Sequence, residues 1–438
     1  VTEDQATVDA AKAATDAFAT NGTVSGTTGE TFTLTAEADN FVGTANADTF
    51  QAVEGTGSAG TLTVFDKLDG GAGEDTLELI SNGTVAIPGG VSIKNIETVN
   101  ITRDNVTAPA TAIEASVFVG ATQIWQIDAA GAIEGLVDGQ TAGFRDTAVQ
   151  AVDAVTYDDG ATTASIALDN VTDGATLNID GDDVETVNVS GSINATAATL
   201  IIDLGDNGAG SADAVTALNL SLEGNTALTV SGSNGAELET VNASGTTGGI
   251  TYSLPTLKSA DAYALESITG GSGNDKLNIG SLNNLSADTF TVSGGAGNDV
   301  MDINNTGNGG TAVAVTVIGG AGSDTLKLAA LVNITDASED NFMDSLITFA
   351  DFNGDEDVLD ITGTLGTLSN TQRANIAAED NLYDALVNAA AQATGTVAFD
   401  FGGDAYVYTN DNSAFDAGDG LVKLAGFSVE NFDASNLI

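Results

Sequence analysis

The sequence predicts an all-β protein, with β-solenoid or β-roll segments, additional β-rich domains and two short helical segments. Three observations carry that expectation. Glycine is frequent, at 53 residues, and proline rare, at 3, so turns punctuate the chain without breaking it. Short alternations such as Thr61-Leu-Thr-Val-Phe65 and Thr311-Ala-Val-Ala-Val-Thr-Val-Ile318 place successive side chains on opposite faces, as strands do. Two motifs recur along the chain, and recurrence at a near-constant period marks a repeat architecture.

Taken in order, residues 1–37 read as an N-terminal helix and a lead-in strand. The helix lies within Thr2 to Ala19, opens on the capping-box pattern Thr2-Glu-Asp-Gln5, and sets Val8, Ala11 and Phe18 on one face. Residues 38–104 hold the first glycine-turn segment. Residues 105–237 form a β-rich middle domain with strands such as Leu177-Asn-Ile179 and Leu218-Asn-Leu220 but no glycine motif. Residues 238–365 carry the densest repeats and read as the solenoid. Residues 366–438 supply a second helix, Thr371 to Ala393, behind the capping box Ser369-Asn-Thr-Gln372, with Tyr383, Leu386, Val387 and Ala390 as its apolar stripe, and then a hairpin. Both helices read as packing elements.

Charge narrows the function. Against 62 acidic residues stand 10 basic ones, for a formal net charge of −52, a field that repels nucleic acid and anionic membranes and attracts cations. Adaptation to high salt is the competing explanation for that charge, but it does not explain where particular aspartates sit. Disorder is excluded because the acids are dispersed among strand patterns rather than gathered in blocks. The absence of Cys and His removes disulfides, thiolate or imidazole metal sites, and Ser-His-Asp chemistry. No apolar run of 18 residues could cross a bilayer as a helix.

The first motif is an apolar residue, Glu, Thr or Ser, an apolar residue, then Asn or Thr. It occurs as Ile96-Glu-Thr-Val-Asn100, Val184-Glu-Thr-Val-Asn188, Leu238-Glu-Thr-Val-Asn242 and Leu265-Glu-Ser-Ile-Thr269. The second is glycine-rich: Gly70-Gly71-Ala-Gly73-Glu-Asp75, Gly270-Gly271-Ser-Gly273-Asn-Asp275, Gly294-Gly295-Ala-Gly297-Asn-Asp299 and Gly319-Gly320-Ala-Gly322-Ser-Asp324. Its last three copies begin at 270, 294 and 319, a step that fits one coil of a solenoid with the glycine turns stacked on an edge. Paired glycines can turn carbonyl oxygens inward and the Asp adds a carboxylate, so two stacked turns offer the six to eight oxygens that calcium requires. Carboxylates stacked about 5 Å apart repel by roughly 1 to 3 kcal/mol per pair, which a cation relieves. Two degenerate copies extend the series. One ends at Asp48, within Asn40-Phe-Val-Gly-Thr-Ala-Asn-Ala-Asp48; the other places Asp351, Asn353, Asp355 and Asp357 in alternation, where they could converge on one ion.

These glycine turns resemble the RTX family of proteins exported by type I secretion. The Glu-Thr-Val-Asn strands, the opening Phe32-Thr-Leu-Thr with Asp48-Thr-Phe50, and the Cys-free, Thr/Ala/Gly-rich composition are most similar to its calcium-dependent bacterial S-layer branch. The resemblance implies multiple Ca2+ ions, an extracellular location at the bacterial cell surface, and self-assembly into a homo-oligomeric lattice. A cell-surface polysaccharide is a further expected partner, through a domain outside this sequence. It also implies that the C-terminal run Asp404-Ala-Tyr-Val-Tyr408, Leu421 to Phe427 and Phe432 to Ile438 acts as a secretion signal, while a plain terminal hairpin is the alternative. In RTX proteins the nonapeptides usually stand in tandem, whereas here they read as single copies, one per larger coil.

The expected function is therefore a structural surface-layer subunit, with a calcium-stiffened adhesin, filament or ice- or glycan-binding module as the alternative. A flat array of Thr would favour the second; the lone tryptophan, Trp125, reads as core rather than as a sugar platform. An enzyme is not expected, because acid pairs such as Asp158-Asp159 and Asp182-Asp183 stand in turn contexts. Nucleic-acid binding and a membrane span are likewise not expected.

Overall fold

The computed structural model describes residues 28–54, 60–81, 85, 87–103, 112–150, 153–204, 215–231, 237–253, 264–281, 285–304, 313–328, 334, 336–339, 341–361, 364–410 and 412–438. The helix expected within Thr2 to Ala19 lies outside them. The chain divides into two units, Val1–Thr147 and Ala148–Ile438. Strand pairing crosses the positions where boundaries were expected at 104/105 and 237/238: Thr98–Arg103 pairs with Gln123–Ile127, and Ala217–Ser231 with Thr240–Asn242.

In the first unit, Thr31–Thr33, Thr49–Glu54, Thr76–Ser81, Thr98–Arg103, Gln123–Ile127 and Thr141–Arg145 stack as parallel strands in unbroken register. A narrower parallel sheet of Asn40–Val42, Lys67–Asp69, Ser92–Lys94 and Phe118–Val119 forms the other wall. Strand periodicity sends Phe50, Leu77, Val99, Ile124 and Ala142 inward as one fully buried column. Each large apolar side chain removed from water contributes about 1.5–3 kcal/mol, so the column rather than any single contact holds the coils together. Trp125 is not core: it sits on the outward face of its strand, lies across Gly143 of the next coil, and carries the Arg145 guanidinium 4.5 Å from its ring centroid.

The second unit continues the same logic. One wall runs through Thr163–Thr172, Thr186–Asp203, Ala217–Ser231, Thr240–Asn242, Ser267–Thr269, Thr289–Ala296, Ala314–Ala321 and Ile347–Phe349. The other runs through Ala175–Asp180, the later halves of the two long strands, Ile250–Ser253, Lys276–Ser281, Val300–Asn304, Thr325–Leu328 and Val358–Ile361. Thr186–Asp203 serves both walls because its ladder breaks between Ser192 and Ala197, next to Gly191 at φ 110°. On the first wall, register aligns an outward column of Thr163, Thr186, Ala217, Thr240, Ser267, Thr291, Thr316 and Thr348. Two residues along each strand, a second column holds Ser165, Asn188, Asn219, Asn242, Thr269 and Ser293, and the Asn219 amide donates to Asn188 at 2.9 Å. The apolar-Glu-Thr/Ser motif behaves as expected here: Leu238, Val241, Leu265 and Ile268 are buried, while Glu239 and Glu266 are exposed.

The C-terminal expectation of one helix is corrected to two, Asn370–Ala377 and Leu382–Gln392. The Ser369/Gln372 capping box forms as read, but Asn381 caps a new helix by accepting from the Asp384 amide. The buried face is Ala385, Leu386, Ala389 and Ala390, and Val387 of the expected stripe is 42% exposed. These helices cover the antiparallel strands Gly395–Phe401, Asp404–Asn410 and Gly420–Leu424 over a core that includes Phe342, Phe399, Tyr406, Tyr408 and Leu421. Gly420–Leu424 then pairs with Ile347–Phe349, and Leu437 bridges Leu359, so both edges of the last coil are covered.

Candidate metal sites

Every glycine motif sits at the corner where a strand of one wall hands over to the other, as Lys67–Asp69 does to Thr76–Ser81 across Gly70 to Asp75. Three of the four copies share one backbone form. Their second and third glycines take positive φ, at 95° and 138° for Gly71 and Gly73, 106° and 128° for Gly295 and Gly297, and 99° and 137° for Gly320 and Gly322. Side chains are excluded there twice over, since a Cβ on Gly320 would also stand 1.9 Å from the Gly295 carbonyl oxygen. In the fourth copy Gly271 and Gly273 are not left-handed, and the Gly271 amide instead donates to Asp275 Oδ2 at 2.8 Å.

The aspartates form a directional ladder. The Asp275 amide donates to Asp299 Oδ1 at 2.7 Å, the Asp299 amide to Asp324 at 2.9 Å, and the Asp324 amide to Asp357 at 2.9 Å. In the first unit the Glu30 amide donates to Asp48 at 2.6 Å, the Asp48 amide to Asp75 at 2.7 Å, and the Asp75 amide to Glu97 at 2.8 Å. Each carboxylate thus reaches back one coil and pins the turn before it. All of these aspartates are buried, Asp275 completely and Asp357 to 4% exposure.

What the ladder leaves over is the second oxygen. Oδ2 of Asp75, Asp299 and Asp324 is buried without a hydrogen-bond partner, and those three belong to the left-handed turns. Next to each lies the first glycine. A Cβ on Gly294 would meet Asp299 Oδ2 at 2.3 Å and the Gly319 carbonyl oxygen at 2.7 Å; on Gly70 it would meet the Asn95 carbonyl at 1.7 Å and Asp75 Oδ2 at 2.5 Å. A carboxylate and a main-chain carbonyl from the following coil therefore face one small space that only glycine leaves open. Burial pushes the Asp299 carboxyl up to about 7, helped by the charges of Asp275 and Asp324. Burial likewise raises Asp324 to about 6, with Asp357, Asp351 and Glu356 nearby, and raises Asp75, beside Asp48, Glu97 and Glu74. Asp48 differs: burial works against its ionised form, but the amides of Glu30 and Thr44 and the Thr44 hydroxyl hold its carboxyl below the usual range.

An orphaned, buried, hard oxygen beside carbonyls is the donor chemistry calcium prefers, so the residues fit that ion. Asp75 beside the Asn95 carbonyl and Asp299 beside the Gly319 carbonyl would hold it, and Asp324 offers the same unpaired oxygen. Among the described residues no cluster of three or more carboxylates converges, so main-chain oxygens have to complete any cage. Bound calcium supplies the positive charge that lets neighbouring buried carboxylates ionise together.

The remaining expected ligands part company. Asp351 accepts from the Gly319 and Gly320 amides, both at 2.9 Å, and so locks the preceding turn. Asn353 binds the Asp355 amide and the Glu356 carboxylate, and Asp357 takes the Asp324 and Asn353 amides. Three of the four, Asp351, Asn353 and Asp357, have their oxygens taken by the local turn and the ladder, and among the described residues the acids here do not gather into a cluster of three. Sequence reading also missed members. Glu97 fills the ladder position of an Asp, and Asp66, fully buried, accepts from the Asp39 and Thr63 amides on the opposite corner. Asp39 and Asp48, like Asp66 and Asp75, stand nine residues apart, so the first unit carries paired turns per coil where single copies were expected. The signal was present in that spacing but hidden because Leu34, Thr35 and Glu37, and Thr61, Leu62 and Val64, stand where the motif has glycine.

No curated protein matches the chain. The RTX calcium-binding nonapeptide repeat family matches residues 65–78, 266–285 and 291–302, in four copies, and these spans hold Asp66, Asp75, Asp275 and Asp299. With the left-handed glycine corners, the aspartate ladder and its orphaned oxygens, the chain therefore carries RTX calcium-binding repeats on a β-solenoid.

Proposed function

We propose that the protein is a secreted structural subunit that assembles with copies of itself at a bacterial surface when calcium is present. The observation that supports this most is the row of buried carboxylates with unpaired oxygens in a chain of net charge −52. Without cations each coil repels the next and each molecule repels its neighbour; calcium removes both obstacles at once. Ion binding thus couples stiffening of the solenoid to association. In this reading the chain acts as scaffold rather than enzyme: the paired acids Asp158 and Asp159 stand at a turn, and no His or Cys is available. Attachment to a surface polysaccharide belongs to a partner domain in this reading.

Purified protein in chelator, titrated with calcium and separately with magnesium, tests it by light scattering with negative-stain imaging. Ordered sheets that appear with calcium alone support the assembly. A monomer that compacts and stays single rejects it and favours an adhesive or filament-borne binding module.

A further inference from the structure

The two outward columns on the first wall of the second unit contain no charged residue from Thr163 to Thr348: they hold Thr, Ser, Asn and Ala and, opposite Ser293, the half-buried Ile318. With 16% of the chain charged, a strip of this length would hold about two charged residues by chance, and outward positions normally hold more. The other wall shows the contrast: its outward positions include Asp180, Asp203, Lys276, Asp302, Lys327 and Asp360. Exposed Glu185, Glu239 and Glu266 border the neutral strip on the side where its strands begin.

We propose that this neutral strip is the face through which two copies of the chain meet. The inference rests on the self-assembly reading above and names its surface. Two features choose a second copy as the occupant. A molecule this acidic cannot bring most of its surface against itself, and the strip is where close approach separates no charge from water. The strip also repeats with the coils, every ~4.8 Å, and a second copy carries that same period, so hydroxyls and amides can interleave in register across the contact. At about 34 Å by ~10 Å the footprint is well under the ~800 Å² per partner of a stable dimer, so one contact is weak and an array of them is strong. The bordering glutamates make approach unfavourable until cations screen or bridge them.

The test uses the full chain loaded with calcium. Thr240→Glu with Thr291→Glu places charge on the strip; Thr229→Glu with Thr251→Glu places it on the other wall. Sedimentation should show at least tenfold weaker self-association for the strip pair and wild-type behaviour for the control, with circular dichroism confirming that both fold. Because the chain has no cysteine, Asn242→Cys and Ser253→Cys give a second readout. A bifunctional maleimide spanning ~10 Å, the usual sheet-to-sheet distance, should join copies through position 242 and not through 253. Sheets that form equally well from the strip pair, or cross-linking through 253 alone, overturn the face while leaving self-assembly intact. Dimers that the strip pair abolishes, without any ordered array from wild type, support the face and reject the array. No association in calcium rejects both.

Discussion

Asp299 shows how a single carboxylate carries both the weakness and the use of the turn. Its carboxyl sits near 7 because of burial, well above the unfolded value near 4, so its neutral form stabilises the cation-free fold. That contribution is complete below about pH 4 and disappears as pH rises through 6 to 7, and Asp324, at about 6, adds in the same direction. In chelator, melting followed by circular dichroism should therefore give a lower midpoint at pH 8 than at pH 5. With calcium the order should reverse, because the ion binds the ionised form and protons compete with it. Asp299→Asn tests the same residue from the other side. It keeps an acceptor for the Asp275 amide but not the charge, so it should raise the midpoint in chelator at pH 8 and weaken calcium binding by about tenfold or more, ~1.4 kcal/mol, in a calorimetric titration. The sixth-position aspartates were legible in the sequence from their fixed offset behind paired glycines. Glu97 was visible as the Glu of Ile96-Glu-Thr-Val-Asn100, but its place in the ladder was not, since that comes from stacking on Asp75 a coil away. Asp351 and Asp357 look equivalent in sequence and do different work, one holding the turn glycines and the other continuing the ladder.

Corners and strands make separate demands on the chain. A side chain at Gly320 meets both a left-handed backbone and the Gly295 carbonyl, so Gly320→Ala should cost about 1–3 kcal/mol with or without calcium, read as a lowered denaturant midpoint. On the inner wall, Leu277 stacks between Tyr252 and Met301 and is 1% exposed, so Leu277→Ala should cost about 2–5 kcal/mol. The two substitutions differ in kind: the first should change calcium affinity at its turn, the second stability alone. Strand existence was readable from alternation at Leu177 and Leu218 in the stretch without glycine motifs, but Thr61 to Phe65, expected as a strand, is a bend and turn whose Thr63 amide and hydroxyl bind Asp66. The merger of that stretch into the ladder was not, because pairing partners lie a whole coil apart. The helix pair hid for another reason. Glu379 and Asp380 continue an acceptable helical sequence, and only the capping bond of Asn381 to the Asp384 amide makes a new start more favourable there.

At the level of the whole chain, a net charge of −52 means that ionic strength substitutes for part of the cation's effect. Raising NaCl from 0.1 M to 1 M shortens the screening length from about 10 Å to ~3 Å, so the chelated protein should melt at a higher temperature in high salt. Salt should not reproduce the calcium effect at neutral pH, because the buried Oδ2 atoms need a partner at contact distance rather than a diffuse atmosphere. Equal midpoints for high salt and for calcium would show that the turns do not bind the ion. The direction of the aspartate ladder has a further consequence. Because every carboxylate grips the amide of the coil before it, each turn in the solenoid waits on the one after it, as links in a chain wait on their anchor. The anchor is the Asp357 corner, clasped in turn by Asn436 near the C-terminus. Order in these coils of the second unit is therefore passed backward from Asp357 toward Asp275, so loss of the last few residues should loosen the turns at Asp324, Asp299 and Asp275, while loss of earlier coils should leave them closed.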